Sequence, residues 1–311
     1  MSMNYAIYQA SRKGGRSQNE DRVAYAYTTE AVAMVLCDGM GGHSQGEIAS
    51  QLTVQVIVDL FQTRAQPTLP DLPTFLLDAI YAAHDAVNEY ALRKRMSDPP
   101  RTTCVVCVVQ GDQACWAHVG DSRLYHFNRH GLVTRTRDHS AVQRLFEQGH
   151  ISEADMSIHP DRNKLYNSIG GYMLPDIELA QTTRLNEQDV LLLCTDGIWP
   201  ELTPQEMFST LRAYPLERAV KHIMDHAEFR AGPSSDNLSM VALRYGNERF
   251  DSDQLVAGDG LGLDGFTTQI RILADKSAPP PPSDDELDQA LAEIQAKLDQ
   301  IKTRPKPKPK T

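Results

Sequence analysis

Three short apolar segments follow one another in the middle of the chain, and only a few residues separate them. They span residues 102–109, 114–119 and 123–127, and Gly111-Asp112 marks a turn between the first two. Segments joined so closely are typical of hairpin-linked antiparallel strands. This part of the chain therefore predicts an antiparallel sheet. A turn at 128–131 leads into a further predicted strand at 132–136, other strands are predicted at 190–194 and 238–245, and Asp21 is expected to enter the first strand of the chain.

Helical patterns occur in pairs before and after these strands. Apolar residues spaced four apart predict a helix soon after an apolar strand at 32–37: Ile48, Leu52, Val56 and Leu60. A second helix is predicted at about 74–95, and Thr203 begins a capping box that opens another, ahead of a helix at 216–229. Because strands and helices do not alternate regularly, a doubly wound parallel sheet is not expected. We predict an α+β fold, an antiparallel sandwich.

Composition excludes several classes of function. The chain of 311 residues has 31 basic and 41 acidic residues and a net charge of −10, which argues against a basic footprint for nucleic acid or anionic lipid. Its longest apolar runs are far shorter than the roughly 20 residues of a membrane helix. Residues 1–21 show no secretory signal. We therefore expect a cytoplasmic protein without membrane contact.

The five cysteines lie within apolar runs, and an odd, scattered set does not indicate a disulfide framework. Cys104 and Cys107 form a C-x-x-C, but residues three apart on a strand point to opposite faces. A place in the core is therefore predicted for them, with a redox or zinc site as the alternative.

The chain divides into three zones. Residues 1–246 carry mixed apolar periodicities and are predicted to form one folded unit, while 247–283 are Gly-rich and end in a proline run typical of a linker. Residues 284–311 are predicted to form a short amphipathic helix followed by a Lys-Pro tail. The helix carries a heptad seam: Leu287, Leu291, Ile294, Leu298 and Ile301. It either docks on its own domain, forms only in part, or binds a partner or a second copy.

Five aspartates lie at or beside predicted strand ends: Asp21, Asp38, Asp121, Asp196 and Asp236. Carboxylates brought together there repel one another unless a cation lies between them, and Mg²⁺ and Mn²⁺ prefer oxygen ligands. A single Asp-Gly is most often a turn. However, Asp38-Gly39 leads into a predicted helix, so a two-residue hairpin is excluded there. Turn formation and metal binding both remain open from the spacing alone.

Eight short stretches also match a known family in its own order. They are RSQNED (16–21), DGMGGH with GE and AS (38–50), TT (102–103), VGDSR (119–123), DHS (138–140), SIGG (168–171), CTDG (194–197) and DN (236–237). On these motifs the chain resembles the bacterial metal-dependent protein phosphatases of type 2C, the PPM family. The resemblance implies a four-layer α-β-β-α sandwich of two antiparallel sheets flanked by helices.

The resemblance also implies metal ligands for two Mn²⁺ or Mg²⁺ ions. Asp38 would bridge the two ions and the Gly39 carbonyl would bind one of them. Asp196 and Asp236 would complete the shell of the second ion. Asp21 would act through coordinated waters, and Glu20 is a further candidate for that role.

Further implied roles concern a third ion, the substrate and a proton donor. Asp121, with Asp196, would hold a weaker third ion. Arg16 would bind the substrate phosphate, for which its planar fork suits bidentate contact. Animal members have a histidine at the place of Met40, and His43 is carried here as a candidate general acid, with a structural or surface role as the alternative.

Together, these expectations predict a function. The chain is expected to hydrolyse phosphoserine and phosphothreonine in proteins with a metal-activated water, opposing a bacterial Ser/Thr kinase. The SIGG stretch also resembles that of phosphatases paired with kinases of secretion systems. The alternatives are a regulatory binding module on the same fold and a metal phosphohydrolase acting on small molecules.

Overall fold

Two antiparallel sheets form the centre of the protein. The computed structural model describes residues 5–40, 45–156 and 159–246, with only the backbone at 153–154. The strands are β1 (Tyr5–Arg12), β2 (Arg22–Tyr27), β3 (Ala31–Cys37), β4 (Cys104–Gln110), β5 (Gln113–Val119), β6 (Arg123–Asn128), β7 (Gly131–Arg135), β8 (Glu178–Leu179), β9 (Thr183–Arg184), β10 (Val190–Cys194) and β11 (Leu238–Tyr245). The helices are α1 (Gly46–Arg64), α2 (Leu72–Arg93), α3 (Ala141–Glu147), α4 (Glu153–Met156), α5 (Pro204–Ala213) and α6 (Leu216–Ala231).

The first sheet has the strand order β1-β11-β10-β6-β7, and the second has the order β2-β3-β4-β5-β8, with β9 also paired to β5. Each of these strand pairs is antiparallel. The predicted hairpins β4-β5 and β6-β7 are present, but β5 and β6 lie in different sheets. The chain therefore crosses between the sheets at residues 120–122.

The two sheets pack face to face with helices outside each of them. Leu36 and Val105 from the second sheet meet Leu193 and Val241 from the first in one buried cluster. Helices α1 and α2 cover the second sheet, while α5 and α6 cover the first. The result is a four-layer α-β-β-α sandwich, which confirms the predicted fold class.

Side-chain caps fix where several helices begin. Asp71 accepts a hydrogen bond from the backbone N–H of Thr74 at the start of α2, and Ser140 caps α3. At α5, the Thr203 and Glu206 side chains satisfy each other's backbone N–H groups, with Pro204 in the first turn. These caps supply partners for amide groups that have none within the helix. The predicted capping box is thus confirmed.

Three strands are absent from the sequence prediction. Strand β1 precedes the one that Asp21 enters, so the expectation that Asp21 enters the first strand is wrong. The outer strand β1 mixes polar with apolar residues and is mostly half-buried, so its hydrophobic signal is weak. Strands β8 and β9 have two residues each, too few for any periodicity to show.

All five cysteines are free and buried, in agreement with the predicted core positions. Within the described ranges, none of the helices is both long and apolar enough to span a bilayer. The predicted linker at 247–283 and the predicted helix at 284–311 lie outside the described residues, so the boundary at 246 stays a prediction.

Candidate metal centre

Two threonines hold the backbone around Asp38 at the end of β3. The Asp38 N–H donates to Thr103 Oγ1 at 3.0 Å. Its carbonyl accepts from the Thr103 N–H at 2.8 Å and from Thr102 Oγ1 at 2.7 Å. Because hydrogen bonds fix its N–H and its carbonyl, Asp38 leaves the strand in a fixed direction. The residue is half-buried.

The next residue, Gly39, touches the start of α1. A Cβ at Gly39 would lie 2.5 Å from the carbonyl group of Gly46, and one at Gly46 would lie 2.8 Å from Glu20 Oε2. The Gly39 N–H donates to the Glu20 carbonyl at 3.2 Å. Contacts this close exclude any side chain, so two glycines are required for the strand end, the helix start and the loop before β2 to meet.

Thr195 links Asp21 to the neighbouring sheet. Its hydroxyl donates to Asp21 Oδ2 at 3.0 Å and accepts from the Ser239 N–H at 3.1 Å. Asp21 is only 2% exposed, and among the described residues its Oδ1 has no hydrogen-bond partner. A buried anionic oxygen without a partner is costly unless a cation or a water satisfies it. Asp196 follows Thr195 directly and is half-buried.

Asn237 fastens the loop that carries Arg16. Its amide nitrogen donates to the carbonyls of Lys13 and Gln18 at 2.8 and 2.9 Å, and its Oδ1 accepts from the Glu20 N–H at 2.8 Å. As a result Arg16 Nη2 lies 2.5 Å from Asp236 Oδ2. The exposed Arg16 guanidinium thus lies at the edge of the site.

Trp199 holds the fifth aspartate. Its indole N–H donates to the Asp121 carbonyl at 3.1 Å. The ring also stacks on the Arg123 guanidinium, 3.6 Å from the ring centre, while Arg123 forms a bidentate ion pair with Asp138. Asp121 is 5% exposed. It therefore projects from a rigid, buried turn.

These five side chains, hereafter the carboxylate cluster, influence one another electrostatically: Asp21, Asp38, Asp121, Asp196 and Asp236. Burial, followed by the charges of its carboxylate neighbours, raises the pKa of Asp38 well above its ordinary value, and that of Asp121 likewise. The same causes raise the pKa of Asp21 to about 7 and that of Asp196 to about 6. Removing these groups from water and crowding them together both disfavour the charged forms.

The cluster has the chemistry of a divalent-cation site. Burial and neighbouring carboxylates raise the pKa of both Asp38 and Asp196, so a proton held by the pair relieves the repulsion between them. A hard cation could replace that proton and also satisfy Asp21 Oδ1. All the side chains offered are oxygen donors, which suit Mg²⁺ or Mn²⁺. The residues present therefore fit these ions.

A tighter group of possible ligands lies elsewhere. Among the described residues, His118, His139 and Glu178 form a group of three whose ligand atoms all lie within 4.8 Å of one another, and no three members of the carboxylate cluster do so. The cluster is thus wider than a ready-made site for one ion. A binuclear centre needs a wider ring of ligands than one ion does.

The structure brings together most of the residues singled out in the sequence. The carboxylate cluster is assembled from both sheets, Arg16 contacts it through Asp236, and Gly39 adjoins it. His43 lies outside the described residues, so its role stays a prediction. Sequence reasoning missed the supporting roles of Asn237, Thr103 and Trp199. Only Asn237 carried a usable signal, because an amide beside a loop aspartate can donate to and accept from backbone at once.

Known proteins resemble this chain over the same region. The family described as protein phosphatase 2C matches residues 9–229. The serine/threonine phosphatase stp of Listeria monocytogenes is 30% identical over 211 residues, 67% of this chain and 83% of that protein. Among solved structures, serine/threonine phosphatase Stp1 from Staphylococcus aureus is 27% identical with a TM-score of 0.73, covering 79% of this chain and 98% of that one. The catalytic domain of PstP, solved in complex with 2 manganese ions, is 24% identical with a TM-score of 0.68, covering 79% of this chain and 100% of that one, a likeness of fold.

Proposed function

The chain belongs to the protein phosphatase 2C family and is a metal-dependent serine/threonine phosphatase, and we propose that it removes phosphate from phosphoserine and phosphothreonine in proteins at the carboxylate cluster. The observation that supports this site is the convergence of five aspartates from two sheets, one of which, Asp21, has a buried oxygen without a hydrogen-bond partner in the described part of the chain. All five carboxylates expected of an active member are present, which favours an enzyme over a regulatory binding module.

Four residues would hold a pair of ions. In this proposal Asp38 would be a ligand of both ions, because the charges of Asp21, Asp121 and Asp196 all act on it, and the Gly39 carbonyl would be a ligand of one of them. Asp196 and Asp236 hold the other. The raised pKa values of Asp38 and Asp196 are typical of a cation site, where carboxylates repel one another when no ion lies between them.

Asp21 and Asp121 would act at the margins of the pair. The buried Asp21 Oδ1 suits a water that an ion also contacts. Asp121, which feels the charge of Asp196, would share a weaker third ion with it. Bound divalent ions lower the pKa of water and stabilise charge at phosphorus, and so supply the nucleophile without any enzyme nucleophile.

Arg16 would bind and orient the substrate phosphate. Its side chain is 56% exposed while one nitrogen contacts Asp236, so the remaining N–H donors can face an arriving phosphate. A guanidinium offers paired donors to two phosphate oxygens, which fixes the orientation of the group as well as binding it.

Proteins of the same cell would be the substrates, with a Ser/Thr kinase as the opposing enzyme. The five free cysteines suit a reducing compartment, and we place the reaction in the cytoplasm. Manganese in the PstP structure makes Mn²⁺ the first ion to test.

The test is phosphate release from a phosphothreonine peptide by the full chain, first in EDTA and then with added Mn²⁺. We expect no turnover in EDTA, turnover with Mn²⁺, and loss of at least about a hundredfold in Asp38→Asn, since that side chain is assigned to both ions. The control is Asp225→Asn, an exposed partner of Arg12 on α6. Turnover of small phosphate esters without turnover of the peptide would indicate a small-molecule phosphohydrolase, and no turnover of either would indicate a regulatory module.

A further inference from the structure

His139 holds both peptide groups of Gly120, the residue before Asp121. The His139 backbone N–H donates to the Gly120 carbonyl at 2.9 Å, and the Gly120 N–H donates to His139 Nδ1 at 3.2 Å. Gly120 has a φ of +103°, and a Cβ there would lie 2.7 Å from the Thr103 side chain. Only glycine fits this turn. Because glycine has no side chain with which to hold the turn, His139 holds it through these two hydrogen bonds.

The hydrogen bonds also assign the tautomer of His139. The Asp176 backbone fixes the Asn167 amide, whose Oδ1 accepts from the Asp176 N–H at 3.1 Å while its Nδ2 donates to the Asp176 carbonyl at 2.6 Å. That same Nδ2 lies 2.7 Å from His139 Nδ1. Two donors, the Asn167 amide and the Gly120 N–H, therefore face Nδ1, so Nδ1 is unprotonated and Nε2 carries the proton.

Neighbouring side chains hold the ring in place. The His118 ring stacks on it with centres 4.7 Å apart, and Tyr166 lies near it at 5.8 Å. His118 is itself fixed, because its Nε2 lies 2.6 Å from the Arg137 carbonyl. Glu178 Oε2 lies 3.7 Å from His139 Nε2, too far for a hydrogen bond but close enough to attract the Nε2–H. The ring therefore has one favoured orientation.

This tautomer argues against a metal site formed by His118, His139 and Glu178. A metal ligand must offer a lone pair, and His139 Nε2 carries a proton. If that proton moved to Nδ1, it would point at two other donors, the Gly120 N–H and the Asn167 amide. The close approach of these three residues is better explained as a support for the turn than as a place for an ion.

We propose that His139 is a positioning residue, which acts through Gly120 to hold the Asp121 carboxylate where it can share an ion with Asp196. The inference rests on the proposed function, because it needs an ion at Asp121. Groups that orient ligands from behind typically change metal affinity by about 10–100-fold when they are removed. His139 is buried and contacts the turn at Gly120, so its proposed effect is on ion binding and not on the reacting atoms.

A pair of isosteric variants tests this role. Asparagine places its side-chain oxygen where Nδ1 lies in histidine, whereas glutamine places it where Nε2 lies. Mn²⁺ binding to the full chain is measured by calorimetry and by electron paramagnetic resonance, and Asp121→Asn identifies the class of ion that depends on Asp121. We expect His139→Gln to weaken that class by about tenfold or more and His139→Asn to retain it. His130→Ala, on the exposed turn before β7, is the control.

Each result of these binding measurements either supports or overturns the positioning role of His139. Equal Mn²⁺ binding by both variants, or retention in His139→Gln with loss in His139→Asn, would overturn the positioning role, and the second result would indicate a ligand at Nε2. Nitrogen-15 spectra of the wild-type imidazoles provide a check that needs no variant: a proton on Nε2 is expected, and one on Nδ1 would refute the argument. Wild-type protein that binds no Mn²⁺ at all would refute the proposed function as well.

Discussion

Replacing Asp21 by asparagine should stabilise the protein when divalent ions are removed. Asparagine has nearly the same shape and can still accept the hydrogen bond from Thr195. Its amide group would take the place of Oδ1, which has no partner among the described residues, and would face neighbouring carboxylates instead of repelling them. The substitution thus removes a charge that folding disfavours.

The size of the effect follows from the raised pKa. Folding raises the pKa of Asp21 from 3.8 to about 7, so the native state binds a proton that the unfolded state has lost. Stability from this group is complete below about pH 4 and is lost as pH rises toward 7. Between pH 5 and pH 7 the loss is about 1.4 kcal/mol per pH unit, or about 3 kcal/mol in all. Asp21→Asn has no charge at this position, so its unfolding free energy does not fall in this way as the pH rises.

Urea unfolding in EDTA, followed by tryptophan fluorescence, measures the effect at pH 5 and pH 8. The gain in unfolding free energy of Asp21→Asn over wild type should be about 3 kcal/mol larger at pH 8 than at pH 5. Asp189→Asn is the matched control, because buried Asp189 accepts from Asn186 and contacts His126. It should destabilise at both pH values. A gain from Asp21→Asn that does not grow with pH would refute the account of the cluster's electrostatics.

Three other perturbations test separate parts of the account. Arg16→Lys should lower kcat/KM for a phosphopeptide by about tenfold, since a point charge cannot make the bidentate contact, whereas Arg12→Lys, at a guanidinium that pairs with Asp225 and Glu228 of α6, should not. Gly39→Ala should destabilise by about 3 kcal/mol or more in urea unfolding, because its Cβ would lie 2.5 Å from the Gly46 backbone, and an unchanged midpoint would contradict the close approach. Deleting residues 284–311 should leave phosphopeptide turnover intact while reducing any self-association seen by light scattering, and a loss of turnover would make that segment part of the enzyme.

Much of the fold was predictable because its strands are short, buried and punctuated by turns. The runs at β3, β4 and β10 are largely continuous apolar segments flanked by Glu, Asp, Gly or Thr, so pattern alone located them. Strand β1 was not predicted because it is the outer strand of its sheet, is mostly half-buried, and has polar residues that interrupt its apolar pattern. The crossing of the chain between the sheets after β5 was also not predicted, because the sequence indicates a turn there but does not show which sheet the next strand joins.

The candidate site was likewise predictable only in part. Carboxylates such as Asp38 and Asp196 stand out because each ends an apolar strand and precedes a glycine. Their convergence depends on pairing between strands far apart in the sequence, which no local pattern encodes. The clamp of His139 on Gly120 is likewise a tertiary feature, made by a loop residue across 19 positions. The sequence therefore indicated the candidate ligands better than the residues that hold them in place.

The most direct measurement is anomalous diffraction at the manganese edge from crystals of the full chain equilibrated with Mn²⁺. We expect two strong peaks bounded by Asp38, Asp196 and Asp236, with a weaker one between Asp196 and Asp121. Peaks at His118, His139 and Glu178 with none among the five aspartates would contradict this expectation.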